Sequence, residues 1–189
     1  MFETLISKLQ EDKYLTLETT PQHEPSMHNI VEKIKKFKID SKVDGFTCTD
    51  NPLAKLKYNS LFAALKLQQE FKKPVIATMT MRDRNKIALQ SDLLGANDFD
   101  IRAILALTGD PANMSDQPNS KGVFEANSLM LLKMIKSFNY GMDFAGRPFK
   151  IEPKQIFPFA VVNAYAKNFG SLEKKMHLKI QNGAVGVIT

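Results

Sequence analysis

The chain has 189 residues, 43% hydrophobic and 24% charged, a globular composition with enough apolar material for one core. No run of about 18 apolar residues occurs, which argues against a membrane-spanning helix, and the opening MFETLISKLQEDKY carries acids and no continuous apolar centre, unlike a secretory signal, so a cytoplasmic protein is expected. The net charge, 26 − 20 = +6, is compatible with an anionic ligand, a nucleic-acid surface or an incomplete chain; no aromatic platform or nucleic-acid motif accompanies it, so no nucleic-acid partner is expected.

In chain order, the first β-rich run is YLTLET from 14, followed by a helix that Ser26 can cap and that buries Met27, Ile30, Val31, Ile34 and Phe37, with its lysines on the solvated side. VDGFTCT from 43 is the second run, and its lone Cys48 reads as a small core residue rather than a nucleophile. DNP at 50 to 52 offers a cap with Pro52 in the first turn, ahead of LAKLKYNSLFAALKLQQEF. PVIATMT from 74 is the third run, and RNKIALQSDLLGAN forms a helix after Asp83. IRAILAL from 101 is the fourth run and leads into Thr108-Gly109-Asp110-Pro111 and the polar loop 111 to 123. ANSLMLLKMIKSF then places Leu131, Met134, Ile135 and Phe138 on one stripe. After the loop 139 to 155 come IFPFAVV from 156, a helix opened by Ser171 and closed by Asn182-Gly183, and AVGVIT from 184.

The runs begin 29, 31, 27, 55 and 28 residues apart, and four of these spacings fit one strand, one helix and two short loops. A parallel α/β sheet follows. The first turn, ETTPQHEPS, has no glycine-rich fingerprint of an open doubly wound sheet. Six units against the eight of a closed barrel indicate a TIM (β/α)8 barrel cut short after its sixth strand, a single partial domain over 1–189.

In such a barrel, polar residues at the C-terminal strand ends share one site. Those residues are Glu18 with Thr19 and Thr20, Thr49 with Asp50, Thr78 with Thr80, Thr108 with Asp110, and Asn163. Burial at a strand tip suits a carboxyl to proton donation, which makes Glu18 and Asp110 candidate acids. Against this, Glu18 can be an edge-strand residue and Asp110 a turn residue that caps its own backbone. Gly109 has a functional reading too, letting the backbone approach a flat ligand. The three histidines show no spacing that would hold a metal, and none is expected.

Five blocks, LETTP (17–21), TDNPLAKLKYNS (49–60), MTMRDRNKIALQSDLLGA (79–96), ILALTGDP (104–111) and KIQNGAVGVIT (179–189), together resemble the methylenetetrahydrofolate reductases, especially their bacterial branch. The resemblance implies a (β/α)8 barrel with FAD at its strand tips and NAD(P)H as hydride donor. Its reaction reduces 5,10-methylenetetrahydrofolate to 5-methyltetrahydrofolate in one-carbon metabolism. Glu18 matches the general acid that protonates the folate nitrogen, and Asp110 the aspartate beside flavin and pterin. Leu107, Thr108 and Gly109 match the segment against the flavin. Thr49, Thr78, Phe124, Val162 and Ala184 match cofactor-contacting positions, and Lys179 a lysine suited to a cofactor phosphate. Thr78 stands where better-known members have histidine, Phe124 where tyrosine is common, and Leu172 and Leu178 replace polar positions. Those departures motivate an alternative, a flavin-free subunit that binds folate or serves methyl transfer in a larger complex. The resemblance otherwise implies a homo-oligomer or a larger assembly.

Overall fold

The structure, a computed structural model, describes residues 1–11, 14–163, 165 and 168–189. These residues cluster into two compact units, Met1–Met79 with Asp110–Lys121, and Thr80–Gly109 with Gly122–Thr189.

The first unit opens with α1 (Phe2–Gln10), a helix absent from the sequence expectation. Its apolar Phe2 and Leu5 are buried, and Lys8 pairs with Asp44 ahead of the second strand. After α1 come β1 (Thr16–Thr19), α2 (His28–Lys36), β2 (Gly45–Cys48), α3 (Ser60–Phe71) and β3 (Val75–Thr80). The strands are parallel, with Leu17 opposite Phe46, Glu18 opposite Thr47, and Phe46 and Thr47 opposite Val75 and Ile76.

Ser26 Oγ accepts from His28 N at 3.0 Å, as a cap should, and Met27, Val31 and Ile34 are buried. Phe37 departs from expectation: α2 stops at Lys36, so Phe37 leaves the apolar stripe and is 59% exposed. The expected helix start at Pro52 is also wrong. Asn51, Leu53 and Ala54 all have left-handed φ (44°, 55° and 57°), which interrupts helix after a single 3-10 turn at Pro52–Ala54. The helix begins instead where Asn59 Oδ1 accepts from Leu61 N (2.9 Å) and Phe62 N (3.2 Å). From there Leu61, Ala64 and Leu67 recur at helical spacing and are buried, and the Phe71 ring packs on Phe46 at 5.3 Å. Asn59→Ala is expected to cost about 1 kcal/mol, measured as a shift in the urea unfolding midpoint with unchanged slope.

The second unit holds α4 (Lys86–Asp98), β4 (Ala103–Leu107), α5 (Ser128–Asn139), β5 (Phe157–Val161), α6 (Phe169–Gln181) and β6 (Gly186–Ile188). Here too the strands are parallel and follow chain order, with Leu105 opposite Phe159 and Phe159 opposite Gly186. Gly186 is small for a reason, because a Cβ there would lie 2.8 Å from the Phe159 ring. On α5, Leu131, Met134, Ile135 and Phe138 form the buried stripe that their spacing predicts. Cap positions shift slightly: Asn85 Oδ1 accepts from Ala88 N to open α4, and Asn168 Oδ1 accepts from Ser171 N, so α6 starts at Phe169 rather than at Ser171. Gly183, at φ +102°, ends α6 as expected.

The loop 139–155 is pinned by two asparagine side chains. Asn97 Nδ2 donates to Lys154 O and its Oδ1 accepts from Lys154 N, and Asn139 forms the same pair with Ile156. Parallel strands taken in chain order, with a helix between each and the next, are the construction of the (β/α)8 barrel, and the described residues supply six such strands. None of its described helices is long and apolar enough to cross a membrane.

Candidate active site

Glu18 is the third residue of β1. Its register partner Thr47 follows Phe46, whose ring meets α3, so alternation puts Glu18 on the strand face turned away from that helix. Ile76 and, two residues on, Thr78 share this face. Glu18 is exposed, whereas Thr19 beside it is buried and donates to Thr47 O at 2.7 Å. The burial expected to make Glu18 an acid is therefore not supplied by the first unit itself. Thr78 is 4% exposed, and its carbonyl accepts from Ser60 Oγ at 2.7 Å. Cys48 is confirmed as a core residue: burial pushes its thiol up to about 12, against a smaller opposing hydrogen bond with Thr19.

Asp110 performs a task the sequence did not reveal. Its Oδ2 accepts from Leu53 N at 2.6 Å, at the middle of the left-handed stretch after β2. Asp116 Oδ1 takes Leu56 N (3.2 Å) and Asn51 Oδ1 takes Lys57 N (2.8 Å). The Gln117 amide, followed by the Leu56 N–H, holds the Asp116 carboxyl below the ordinary carboxylate range. Left-handed non-glycine residues cost about 1–3 kcal/mol each, and these acceptors offset that strain. Tyr58 N in turn donates to Gln22 O at 2.9 Å. The loops after β1 and β2 and the segment from Asp110 to Lys121 are thus joined by hydrogen bonds at the C-terminal end of the strands. Glu18 and Asp110 consequently lie at the same end of the first unit, and Asp110 acts on Leu53 rather than on its own backbone.

The remaining candidates in this unit divide sharply. Thr49 Oγ1, just past β2, is buried and has no hydrogen-bond partner among the described residues. Leaving a buried hydroxyl unpaired costs about 1–3 kcal/mol, so the tip of β2 is one polar contact short. Among the described residues no group of three or more His, Cys, Asp and Glu side chains could hold a metal ion.

In the second unit the strand-end residues are largely engaged. Thr108 Oγ1 accepts from Ser128 N at 3.1 Å and so caps α5. Gly109 has φ +97°, and a Cβ there would lie 2.9 Å from Arg82 Cβ and 3.2 Å from Thr80 Cβ. Its missing side chain accommodates the chain's own backbone and side chains, a reading the flat-ligand expectation overlooked. Leu107 O accepts from Met81 N at 3.2 Å. Phe124, at φ +39°, folds its ring over Gly122, where a Cβ would fall 2.3 Å from the ring. Val162 is buried after β5, and its N–H donates to Ile188 O. Asn163 is exposed, and its Oδ1 accepts from Tyr165 N.

Lys179 Nζ donates to Val161 O, and desolvation, followed by repulsion from Lys175, lowers its pKa. Ala184 does not belong with the strand tips. It precedes β6, at the end where strands begin, and its N–H closes α6 by donating to Lys179 O at 3.1 Å. Leu172 is half-buried and Leu178 is 43% exposed. The RDRN motif resolves into local pairs, with Arg82 forked onto Asp83 at 2.8 and 2.6 Å and Arg84 on Asp92 at 2.8 Å.

Tested against FAD, then, the residues fit unevenly. Thr49 offers an unpaired hydroxyl, whereas the Thr108 hydroxyl and the Lys179 ammonium each already have a protein partner. The family model described as methylenetetrahydrofolate reductase matches residues 3–189. No curated protein matches the chain.

Proposed function

The chain belongs to the methylenetetrahydrofolate reductase family, and from that premise we propose that it reduces 5,10-methylenetetrahydrofolate to 5-methyltetrahydrofolate, with FAD relaying hydride from NAD(P)H. The observation that carries this reading is the extent of the family match, residues 3–189, which takes in all six strand ends. FAD supplies a two-electron carrier that accepts hydride from one substrate and passes it to the next. In the first unit, Thr49 would offer its unpaired hydroxyl to a polar edge of that group; in the second, Leu107 and Gly109 stand at the tip of β4, the segment that the resemblance sets against the flavin. Glu18 protonates the folate nitrogen so that the methylene bridge opens, with the bound substrate supplying the desolvation that its exposed position lacks. Asp110 keeps the loop after β2 in its left-handed conformation, a positioning role, besides any polar contact to the pterin.

The test uses the full-length protein. Flavin absorbance in the purified protein, together with oxidation of reduced nicotinamide that depends on methylenetetrahydrofolate, supports the proposal. A colourless protein that takes up no flavin on titration overturns it. Thr49→Val adds a specific check, because it removes an unpaired buried hydroxyl at nearly constant volume. It is expected to stabilise the flavin-free protein by about 1 kcal/mol while weakening flavin binding, read by thermal melts with and without FAD.

A second reading is favoured by Lys179, whose ammonium sits on the Val161 carbonyl, and by Leu172 and Leu178, which cannot hydrogen-bond a phosphate. It makes the chain a flavin-free, folate-binding or methyl-transfer subunit of a larger complex. Affinity purification from native cells separates the two, since a yellow homo-oligomer excludes the subunit reading.

A further inference from the structure

Between α5, which ends at Asn139, and β5, which starts at Phe157, the chain uses far more than the about two to six residues of the usual link. The segment leads to the end where β5 begins, opposite the tips of β4 and β5, so it takes no part in the site described above. It is nonetheless held fast. Besides the Asn97 and Asn139 bonds, Phe144 N donates to Gln90 Oε1 at 2.7 Å, Met142 bridges Pro148, and the Phe149 ring packs on Phe138 at 5.3 Å. With α4 the segment bounds a groove of about 430 Å³, whose apolar wall is Leu94, Phe138, Pro148, Phe149 and Pro153. Lys150 and Glu152 carry charge on its lining, as does Asp98 at the end of α4.

The rim of this groove is apolar and uncovered, with Ile151 83% exposed and Leu94 49% exposed. Next to Leu94 stands Gly95, inside α4, where glycine is less stable than alanine. A Cβ on Gly95 would meet no atom within 4 Å, so packing within the chain gives no reason for the missing side chain, whereas a neighbour lying close against α4 does. The charges identify that neighbour. Lys150 and Glu152 flank Ile151, both are exposed, and neither has an ion-pair partner among the described residues. Opposite charges on either side of an apolar residue complement themselves under a two-fold axis, the symmetry of an isologous contact. We propose that this groove is the face through which two copies of the chain associate, the Ile151 of each covering the apolar wall of the other and each Lys150 pairing with the partner's Glu152. The tips of β4 and β5 stay clear of the contact, so association leaves the chemistry of each copy alone.

The test measures self-association of the full-length protein by sedimentation velocity over a concentration series. Ile151→Asp is expected to raise the dissociation constant at least about 100-fold, since it removes the central apolar contact from both copies and sets two carboxylates face to face. Lys150→Glu and Glu152→Lys should each weaken association about tenfold, because each brings like charges together twice. Mixed in equal amounts, these two variants should associate with each other about as tightly as wild type. In that pair the introduced glutamate faces the introduced lysine, and the native Lys150 faces the native Glu152. All three positions are exposed, so the circular-dichroism spectrum of every variant should match wild type.

A wild type that stays monomeric throughout the series overturns the inference and leaves the proposed reaction untouched. An oligomer whose dissociation constant is unchanged by Ile151→Asp also overturns it and moves the contact to another face. If Ile151→Asp breaks the assembly but the mixture of Lys150→Glu and Glu152→Lys associates no better than either variant alone, the two-fold pairing is wrong and the inference falls with it. Rescue in the mixture supports it, since neither an unlike partner nor a general loss of folding restores association by combining two disruptive changes.

Discussion

Glu18→Gln is expected to lower methylenetetrahydrofolate turnover by roughly 10³-fold, within the range of lost general acid catalysis, while the protein keeps its flavin. The amide matches the carboxyl in size, and Glu18 is an exposed residue of β1 whose side chain has no hydrogen bond among the described residues, so folding should be unaffected. Bleaching of the visible absorbance by reduced nicotinamide should persist, because that half of the cycle requires no proton on the folate. Stopped-flow measurement of the two halves separates these effects. Loss of both halves, or of neither, removes Glu18 from the role of acid. Glu18→Asp should recover part of the rate, since the carboxyl survives with a shorter reach.

Gly109→Ala should destabilise the protein by about 3 kcal/mol, the sum of left-handed backbone strain and overpacking. The added methyl would come within 2.9 Å of Arg82 Cβ and 3.2 Å of Thr80 Cβ, atoms fixed to the backbone that no rotamer change can withdraw. Denaturant unfolding of the flavin-free protein measures the cost directly. A loss of this size without any ligand present identifies Gly109 as a packing residue of the strand tip. A variant with wild-type stability but impaired cofactor binding would instead return Gly109 to the role of ligand contact.

Legibility from sequence varied with the range of the interaction. The five buried residues of α2 and α5 that follow helical spacing most closely, Val31, Ile34, Leu131, Met134 and Ile135, were readable because a helix face is written within four residues. Phe37 and the start of α3 were not. Helix ends depend on cap competition, and Asn59 outcompetes Pro52 once Asp110 holds Leu53 in a left-handed turn. At the site, Glu18 could be placed on β1, but its exposure could not, because burial depends on which chain segments come to lie over it. The resemblance points to Thr49, and only the fold reveals that its hydroxyl is buried without a partner among the described residues. That Ala184 precedes β6 is visible only in the fold, because a family motif carries position along the chain rather than the end of the strand at which a residue sits.

By itself the sequence determined the alternation of six strands with helices, the buried Cys48, the apolar stripes and the family, since each is written in short periodic patterns or contiguous motifs. The tertiary structure alone decided what Asp110, Gly109 and Lys179 do. Asp110 meets an N–H 57 residues away; Gly109 lies against Arg82 and Thr80; and the Lys179 ammonium rests on a carbonyl at the end of β5. Contacts of that range arise only when packing closes long loops, and a chain read one residue after another carries no record of them.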